Sequence, residues 1–458
     1  MKVVVIGDTP ALHDPADGSL SESDRVLLAN VAQGLVRFDS SGNIVGGLAE
    51  RWTVTDDGLS YIFRLASTNW RDGHRITAEQ VVRLLKREIG SRSKNSLKDA
   101  FGAVDDIIAM TDRVIEINLI TPRPDLLARL AQPEMAILRN GEGTGPFSAT
   151  AAPGGTKLTR EIISPDDESV TKEEVLLSSD SAMSAIQRFA NGDSDLVLGG
   201  TFADLPIAQR VKLPRDSLHF DPASGLFGLV PVKSGGILDS PAARQMLSEA
   251  IDRDTFVAAL GVPGLTPRAT LLEPGLDGLP TPTAPSWTTT PYAQRLSMLQ
   301  LQAKRLLARA QTPTIRVELP EGPGSDLLYR LLQRDWGALG FAVDRVENFS
   351  EADFALVDEV APSSSPSWFV RDFRCAAVAV CNDQADQLMD AARQSPVPAQ
   401  RYALLGEAGA VIDQDQLFIP ITAPIRWSLV SARVQNFAGN RYARHTLTDL
   451  LAKPSAGS

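Results

Sequence analysis

The stretch GLAERWTVTDDGLSYIFRL, residues 47–65, reads as two short β-strands around a turn at Asp56-Asp57-Gly58. Asp-Gly is a strong hairpin-turn signal. The run Ser60-Tyr61-Ile62-Phe63-Arg64-Leu65 is rich in the β-branched and aromatic residues that fit a pleated surface. QGLVRFDSSGNIV lies just before this hairpin and NWRDGHRITAEQVVRLLKR just after it. In the latter, Thr77-Ala78-Glu79-Gln80 is a capping-box pattern opening a helix with Val81, Val82, Leu85 and Ile89 on one face. Asp112 to Ile120 alternates, with Ile115, Ile117 and Leu119 on one side and Glu116 and Asn118 on the other, the pattern of a half-buried strand.

Beyond this region the chain keeps mixing strands and helices. Met183, Ile186 and Phe189 form a helical stripe closed by Gly192, ahead of the strand Asp195-Leu196-Val197-Leu198. Ser240-Pro241 is an N-cap with proline at the first helical position, and Met246, Leu247, Ala250 and Ile251 form the buried stripe behind it. A Pro/Thr-rich loop at 280–291 precedes a long helix expected over 293–310. Thr314 to Leu319, Ser325 to Leu339 and Phe341 to Val346 form a β-α-β unit. Helices at 384–393 and 399–413 lead into the strand Leu417 to Ile421. The fold class is α/β, with a domain change near 220–235.

The 458 residues are enough for two or three domains with sizeable cores. The 45 basic residues are scattered along a chain of net charge −11, which argues against a nucleic-acid or anionic-membrane partner. No apolar run approaches the roughly 20 residues that span a bilayer. Met1-Lys2 runs straight into the buried-strand pattern Val3-Val4-Val5-Ile6-Gly7, so the chain is either cytoplasmic or a mature form whose export signal has been removed.

No catalytic constellation is visible. His13, His74, His219 and His445 are far apart, with none at metal-ligand spacing to another. GEGTGPF at 141–147 matches neither the P-loop nor the dinucleotide fingerprint. The acid pairs Asp56-Asp57, Asp105-Asp106 and Asp166-Asp167 read as turn residues. Cys375 and Cys381 leave three options open: a disulfide, two buried thiols or half a metal site. An extended strand would hold them about 20 Å apart, beyond disulfide reach, so a bond requires the segment to fold back.

Taken together in order, the pieces resemble the family 5 bacterial extracellular solute-binding proteins, the dipeptide/oligopeptide-binding receptors of ABC importers. QGLVRFDSSGNIVGGLAERWTVTDDGLSYIFRL and NWRDGHRITAEQVVRLLKR carry its signature region. VDDIIAMTDRVIEINLITPRPDLLARLA, GTGPF, SAMSAIQRFANGDSDLV, SPAARQMLSEAIDRDTFVAAL and FIPITAPIRWSLVSARVQNF follow in the family's order, over nearly the whole chain. Departures fall at Ala66-Ser67, at EIISPDDESVTKEEV after the G-T-G-P loop, and at Val357-Asp358-Glu359, where a glycine-tryptophan pair is usual.

The resemblance implies a two-lobe fold like that of the periplasmic binding proteins, of type II and of the large class with an extra subdomain, closing a hinged cleft. Lobe I would comprise 1–222 and 424–458, with 36–140 as an inserted subdomain, and lobe II 223–423. Hinge crossings are expected near Ala223–Gly225 and Thr422–Pro424, and the opening hairpin becomes scaffold, with Trp52, Tyr61 and Phe63 in its core. The implied function is non-enzymatic capture of a peptide or peptide-like solute, without cofactor or metal, and its delivery to a membrane permease. A sugar, an opine or a metal chelate as ligand, or a sensor in place of a transport component, are the alternatives. By motif position Leu12, His13, Thr144, Phe227 and Trp368 face the ligand. Asp358, with Glu359 behind it, is the counter-charge for a ligand ammonium. The family also implies a periplasmic, monomeric protein, and the oxidising periplasm favours a Cys375–Cys381 bond.

Overall fold

The computed structural model describes residues 1–163, 170–307, 313–448 and 450. The acid pair Asp166-Asp167, the helix end expected at 308–310 and the terminal segment 451–458 lie outside them. The chain forms two compact units, one of residues 1–200, 207–222 and 426–458, the other of residues 201–206 and 223–425. Besides the crossings near 223 and 425, the chain visits the second unit briefly at Thr201–Pro206.

The first unit is built on a seven-stranded sheet. Its order is Leu218–Phe220, Arg426–Val430, Leu196–Thr201, Lys2–Ile6, Val170–Asp180, Gly155–Ile163 and Ser148–Ala152. Lys2–Ile6 runs parallel to both of its neighbours, and Val3, Val4 and Val5 are fully buried. An unbroken apolar run is what a strand covered on both faces requires.

The hairpin of residues 47–65 has its own sheet within this unit, ordered Ala49–Val54, Ser60–Leu65, Val114–Leu119 and Val104–Thr111, all antiparallel. Gly58 N donates to Thr55 O at 2.8 Å and closes the turn. Tyr61, Phe63 and Leu65 alternate inward and meet Ile115, Ile117 and the buried face of the helix Ala78–Ile89. Both halves of the capping box at Thr77 and Gln80 form. Asp105-Asp106 is a strand bulge and no turn: Asp106 accepts the Ile107 amide and pairs with Lys86 at 2.7 Å. The helix Ala182–Ala190 buries Ile186 and Phe189 as the stripe requires, together with Ala182 and Ala185, while Met183 is exposed.

The second unit has a five-stranded sheet in the order Ala342–Val346, Thr314–Glu318, Phe354–Val360, Gly225–Pro231 and Ile419–Thr422. The first three are parallel to one another and the last two alternate in direction. Consequently the C-terminal ends of Thr314–Glu318, Phe354–Val360 and Ile419–Thr422 share one sheet edge with the N-terminus of Gly225–Pro231. Pro323–Gly337 starts its helix two residues before Ser325, since Pro323 occupies the first turn, where a missing N–H does no harm. One face of the sheet carries a cluster including Leu226, Trp368, Phe369, Phe373, Met389 and Phe418. The helix Pro241–Ala250 begins after Ser240, whose hydroxyl makes no capping bond.

Candidate ligand-binding site

In the first unit, the helix Glu22–Val31 positions both loops to which the sequence assigns ligand contacts. At its N-terminal end, Asp24 accepts the Ala11 amide at 2.8 Å and the Ser21 amide at 3.0 Å, fixing the loop that presents Leu12 and His13 to solvent. Burial acts to raise the Asp24 carboxyl, but these hydrogen bonds and the nearby His13 hold it below its ordinary value. At the other end, about 10 Å along the axis from Asp24 to Val31, the G-T-G-P loop docks on the helix terminus. Gly145 N donates to Val31 O at 2.9 Å, Phe147 N donates to Asn30 O at 3.0 Å, and Gln33 Nε2 donates to Thr144 O at 2.9 Å. A Cβ at Gly143 would meet Ala32 Cβ at 2.4 Å, and one at Gly145 would meet the Val31 carbonyl carbon at 2.4 Å. Both glycines are therefore required by close approach. Thr144 stands half-buried between them.

The segment NWRDGHR, just after the opening hairpin, is bonded to this loop. Arg71 donates from Nε to Gly143 O at 3.2 Å and from its terminal nitrogens to Phe147 O and Ser148 Oγ. Trp70 is buried under Arg139, whose guanidinium lies 4.7 Å from the ring centroid, and Trp70 Nε1 donates to Gln80 Oε1 at 2.9 Å. The segment that follows the signature hairpin thus braces the G-T-G-P loop through Arg71. Sequence reading missed Gln33 and Arg71, because their long-range side-chain bonds leave no local pattern, and it missed Asp24 although Ser21 and Asp24 form a capping box that a Ser-x-x-Asp spacing signals.

In the second unit, Asp358 pairs with Phe227 across the strands Phe354–Val360 and Gly225–Pro231. Directly opposed residues share a sheet face, so Asp358 lies on the Phe227 side, half-buried, while Glu359 is exposed on the other. Phe227 itself is fully buried, edge-on to Phe202 at 4.8 Å and stacked with Phe256 at 6.2 Å. Trp368 is also buried, edge-on to Phe369 at 5.0 Å. Both are packed as core residues within this unit, a role that an aromatic at a motif position does not distinguish from ligand contact. Asp353 is engaged elsewhere and accepts the Arg316 amide at 2.8 Å. Among the carboxyls of this unit that the sequence did not single out, burial raises Asp204, on the brief excursion 201–206, and Glu318, at the end of its strand.

The crossing segments are fastened to residues 266–273 of the same unit. Arg268 N donates to Ile421 O at 2.9 Å, Arg268 Nη1 donates to Gly225 O at 3.1 Å, and Thr422 Oγ1 donates to Thr266 O at 2.8 Å. Ser224 Oγ donates to Glu273, which pairs with Arg268. Gly225 has φ +149°, and a Cβ there would lie 2.0 Å from Glu359 O. Farther out, the segment Cys375–Cys381 folds back into a disulfide-closed loop with Cα atoms 5.1 Å apart. No group of acids, histidines and cysteines that could hold a metal occurs among the described residues.

Two α/β units, glycine-bearing loops set by a helix terminus and crossings stapled to one unit define a bilobal binding protein. The model of the bacterial extracellular solute-binding proteins, family 5 Middle, matches residues 43–359, and the chain belongs to that family. Among its relatives is the probable di/tripeptide-binding protein 5 of Pseudomonas aeruginosa strain UCBPP-PA14, 22% identical over 92% of this chain and 89% of that protein. The fold is that of OppA from Haemophilus influenzae in complex with RPPGFSPFR, with TM-score 0.79, 15% identity and coverage of 98% of each chain. It is equally that of AgaA in complex with agropinic acid, from A. tumefaciens R10, with TM-score 0.75, 15% identity and coverage of 99% of this chain and 98% of that one.

Proposed function

We propose that the protein is the ligand-capturing receptor of an ABC importer, taking a peptide or peptide-like small solute and delivering it to a membrane permease without covalent chemistry. The observation that carries this reading is the family match over residues 43–359. The di/tripeptide-binding relative and the peptide-bound OppA neighbour favour peptide as the ligand class. The receptor acts in the periplasm as a monomer, and selection of the ligand-bound conformation drives delivery.

The contacts follow from the chemistry of a zwitterionic peptide. A desolvated ammonium requires a paired counter-charge, and Asp358, half-buried at the end of an interior strand, supplies it. Leu12 and His13 contact the ligand from the N-terminal loop, and Thr144 contacts it from the G-T-G-P loop. Phe227 and Trp368 shape the site from beneath. Titration calorimetry of ligand-stripped protein with di-, tri- and longer peptides tests the assignment. Saturable binding that discriminates by peptide length supports it, and indifference to every peptide sinks it. The agropinic-acid complex of AgaA favours an opine as the second reading, for which agropinic acid in the same titration is the probe.

A further inference from the structure

The arginines are scattered in sequence, but four of them gather in space in the subdomain, Arg51 and Arg64 on its sheet and Arg75 and Arg113 in loops beside it. A bulge between Ala49 and Arg51 turns Glu50 and Arg51 both outward, and Arg51 then stands directly opposite Arg64 on the neighbouring strand. Like charges opposed across two strands repel. Arg64, Arg75 and Arg113 line one open basin together with Thr111, Asp112 and Val114. Glu50 is shared between two of the four, pairing with Arg64 at 2.9 Å and with Arg113 at 3.4 Å. Arg113 is further fixed by donating to Leu65 O at 3.0 Å and 2.7 Å. Among the described residues no carboxylate pairs with Arg51 or Arg75.

Three guanidinium groups and the Asp112 carboxylate line the basin, Glu50 pairs with two of the three, and Arg51 stands opposite Arg64, on a protein whose net charge is −11. The local excess of positive charge therefore runs against the rest of the molecule. Planar, multiply donating guanidiniums match tetrahedral oxyanions, which accept several N–H bonds at once. Because Arg113 is already immobilised, less side-chain freedom is lost when an anion arrives.

We infer that this basin is a site for a phosphate group, carried on an anionic lipid headgroup or free in solution. The Arg64, Arg75 and Arg113 guanidiniums contact the phosphate oxygens, and Arg51 adds long-range attraction. On a lipid surface the basin orients the receptor with this sheet toward the membrane. The capture of solute by the binding loops is unaffected, since none of the four arginines belongs to them.

The test uses the full chain, with co-sedimentation on vesicles of phosphatidylcholine alone or mixed with phosphatidylglycerol, and a separate titration with inorganic phosphate. The variant R51Q/R75Q removes the two unpaired charges and leaves the Glu50 pairs intact. R83Q, on the exposed face of the helix Ala78–Ile89, is the control for a single positive charge removed outside the basin. A tenfold or greater loss of vesicle binding in R51Q/R75Q, with R83Q unchanged, establishes the lipid headgroup as the source. The same loss confined to the phosphate titration establishes the free anion. An equal loss per charge removed in R51Q/R75Q and in R83Q would mean diffuse charge attraction and overturn the site, as would wild-type protein that binds neither probe.

Discussion

Arg268 Nη1 lies 2.5 Å from Glu273 Oε2, and the two residues close a loop whose other bonds reach both crossing strands of the second unit. Glu273 is buried and Arg268 keeps about a fifth of its side chain in solvent. Removing one member of a buried pair typically costs ~3–5 kcal/mol, because the survivor loses its counter-charge. Partial exposure of Arg268 places the expected loss for Arg268→Met near ~3 kcal/mol, read from urea unfolding. Arg268→Met/Glu273→Leu should recover part of that stability. A single variant as stable as wild type would show that solvent, and not Arg268, satisfies Glu273.

Asp413 accepts the Leu271 amide at 2.8 Å and anchors the same segment. Burial pushes its carboxyl up to about 7, against the opposing effect of that hydrogen bond. A folded-state value above the unfolded one means that the native state holds the proton more tightly. The resulting stability is fully present below pH ~4 and is lost as pH rises through about 7. The difference amounts to a few kcal/mol at ~1.4 kcal/mol per unit. Asp413→Asn should flatten this pH dependence and be the more stable protein at pH 8. Parallel stability–pH curves for the two proteins would refute the assignment.

At the first crossing, Gly225→Ala should destabilise the fold by about 1–3 kcal/mol, the usual range for a forced backbone conformation. The added methyl would sit 2.0 Å from Glu359 O, so the paired strand must move as well. Thermal unfolding measures the loss, and a neutral substitution would show that the strand end accommodates a side chain.

Phe227→Ala should lower stability by ~3–5 kcal/mol, as large-to-small changes in an aromatic core do. The ring packs on Phe202 and Phe256, both fully buried. Phe227→Leu keeps most of the volume and should cost less, which leaves ligand affinity measurable on folded protein. An alanine variant as stable as wild type would remove Phe227 from the core.

For the proposed ammonium contact, Asp358→Asn should weaken binding of an amine-bearing peptide by ~3–5 kcal/mol, a hundredfold or more by calorimetry. An N-acetylated peptide should bind both proteins alike. Full affinity of the variant for the free-amine peptide would remove the main physical support for a peptide ammonium at this position.

Much of this architecture was legible in the amino-acid sequence, because it rests on local patterning. The Asp56-Asp57-Gly58 turn, the capping box of Thr77 and Gln80 and the alternation of Ile115, Ile117 and Leu119 each draw on neighbours within a few residues. So does the apolar run Val3–Val5, whose lack of alternation already implies cover on both faces. The collinear order of such segments was specific enough to point to the family.

Only the tertiary structure decided which side chains meet. Arg71 reaches the G-T-G-P loop more than 70 residues away, Arg268 joins strands that lie on either side of it in sequence, and Asp413 acquires its shifted carboxyl from burial alone. Met183 was placed by the hydrophobic stripe but turned outward, since a helix buries the face its neighbours cover, and alanines can fill a close contact. Phe227 and Trp368 are aromatic residues at motif positions, and sequence carries no record of whether a ring faces a ligand or other rings. Arg51 and Arg64 look unrelated along the chain until strand register and one bulge set them opposite each other, and only folding brings the loop residues Arg75 and Arg113 to the same basin as Arg64. Patterning is set by interactions between sequence neighbours, whereas burial, charge pairing and pKa depend on distances that exist only after the chain has folded.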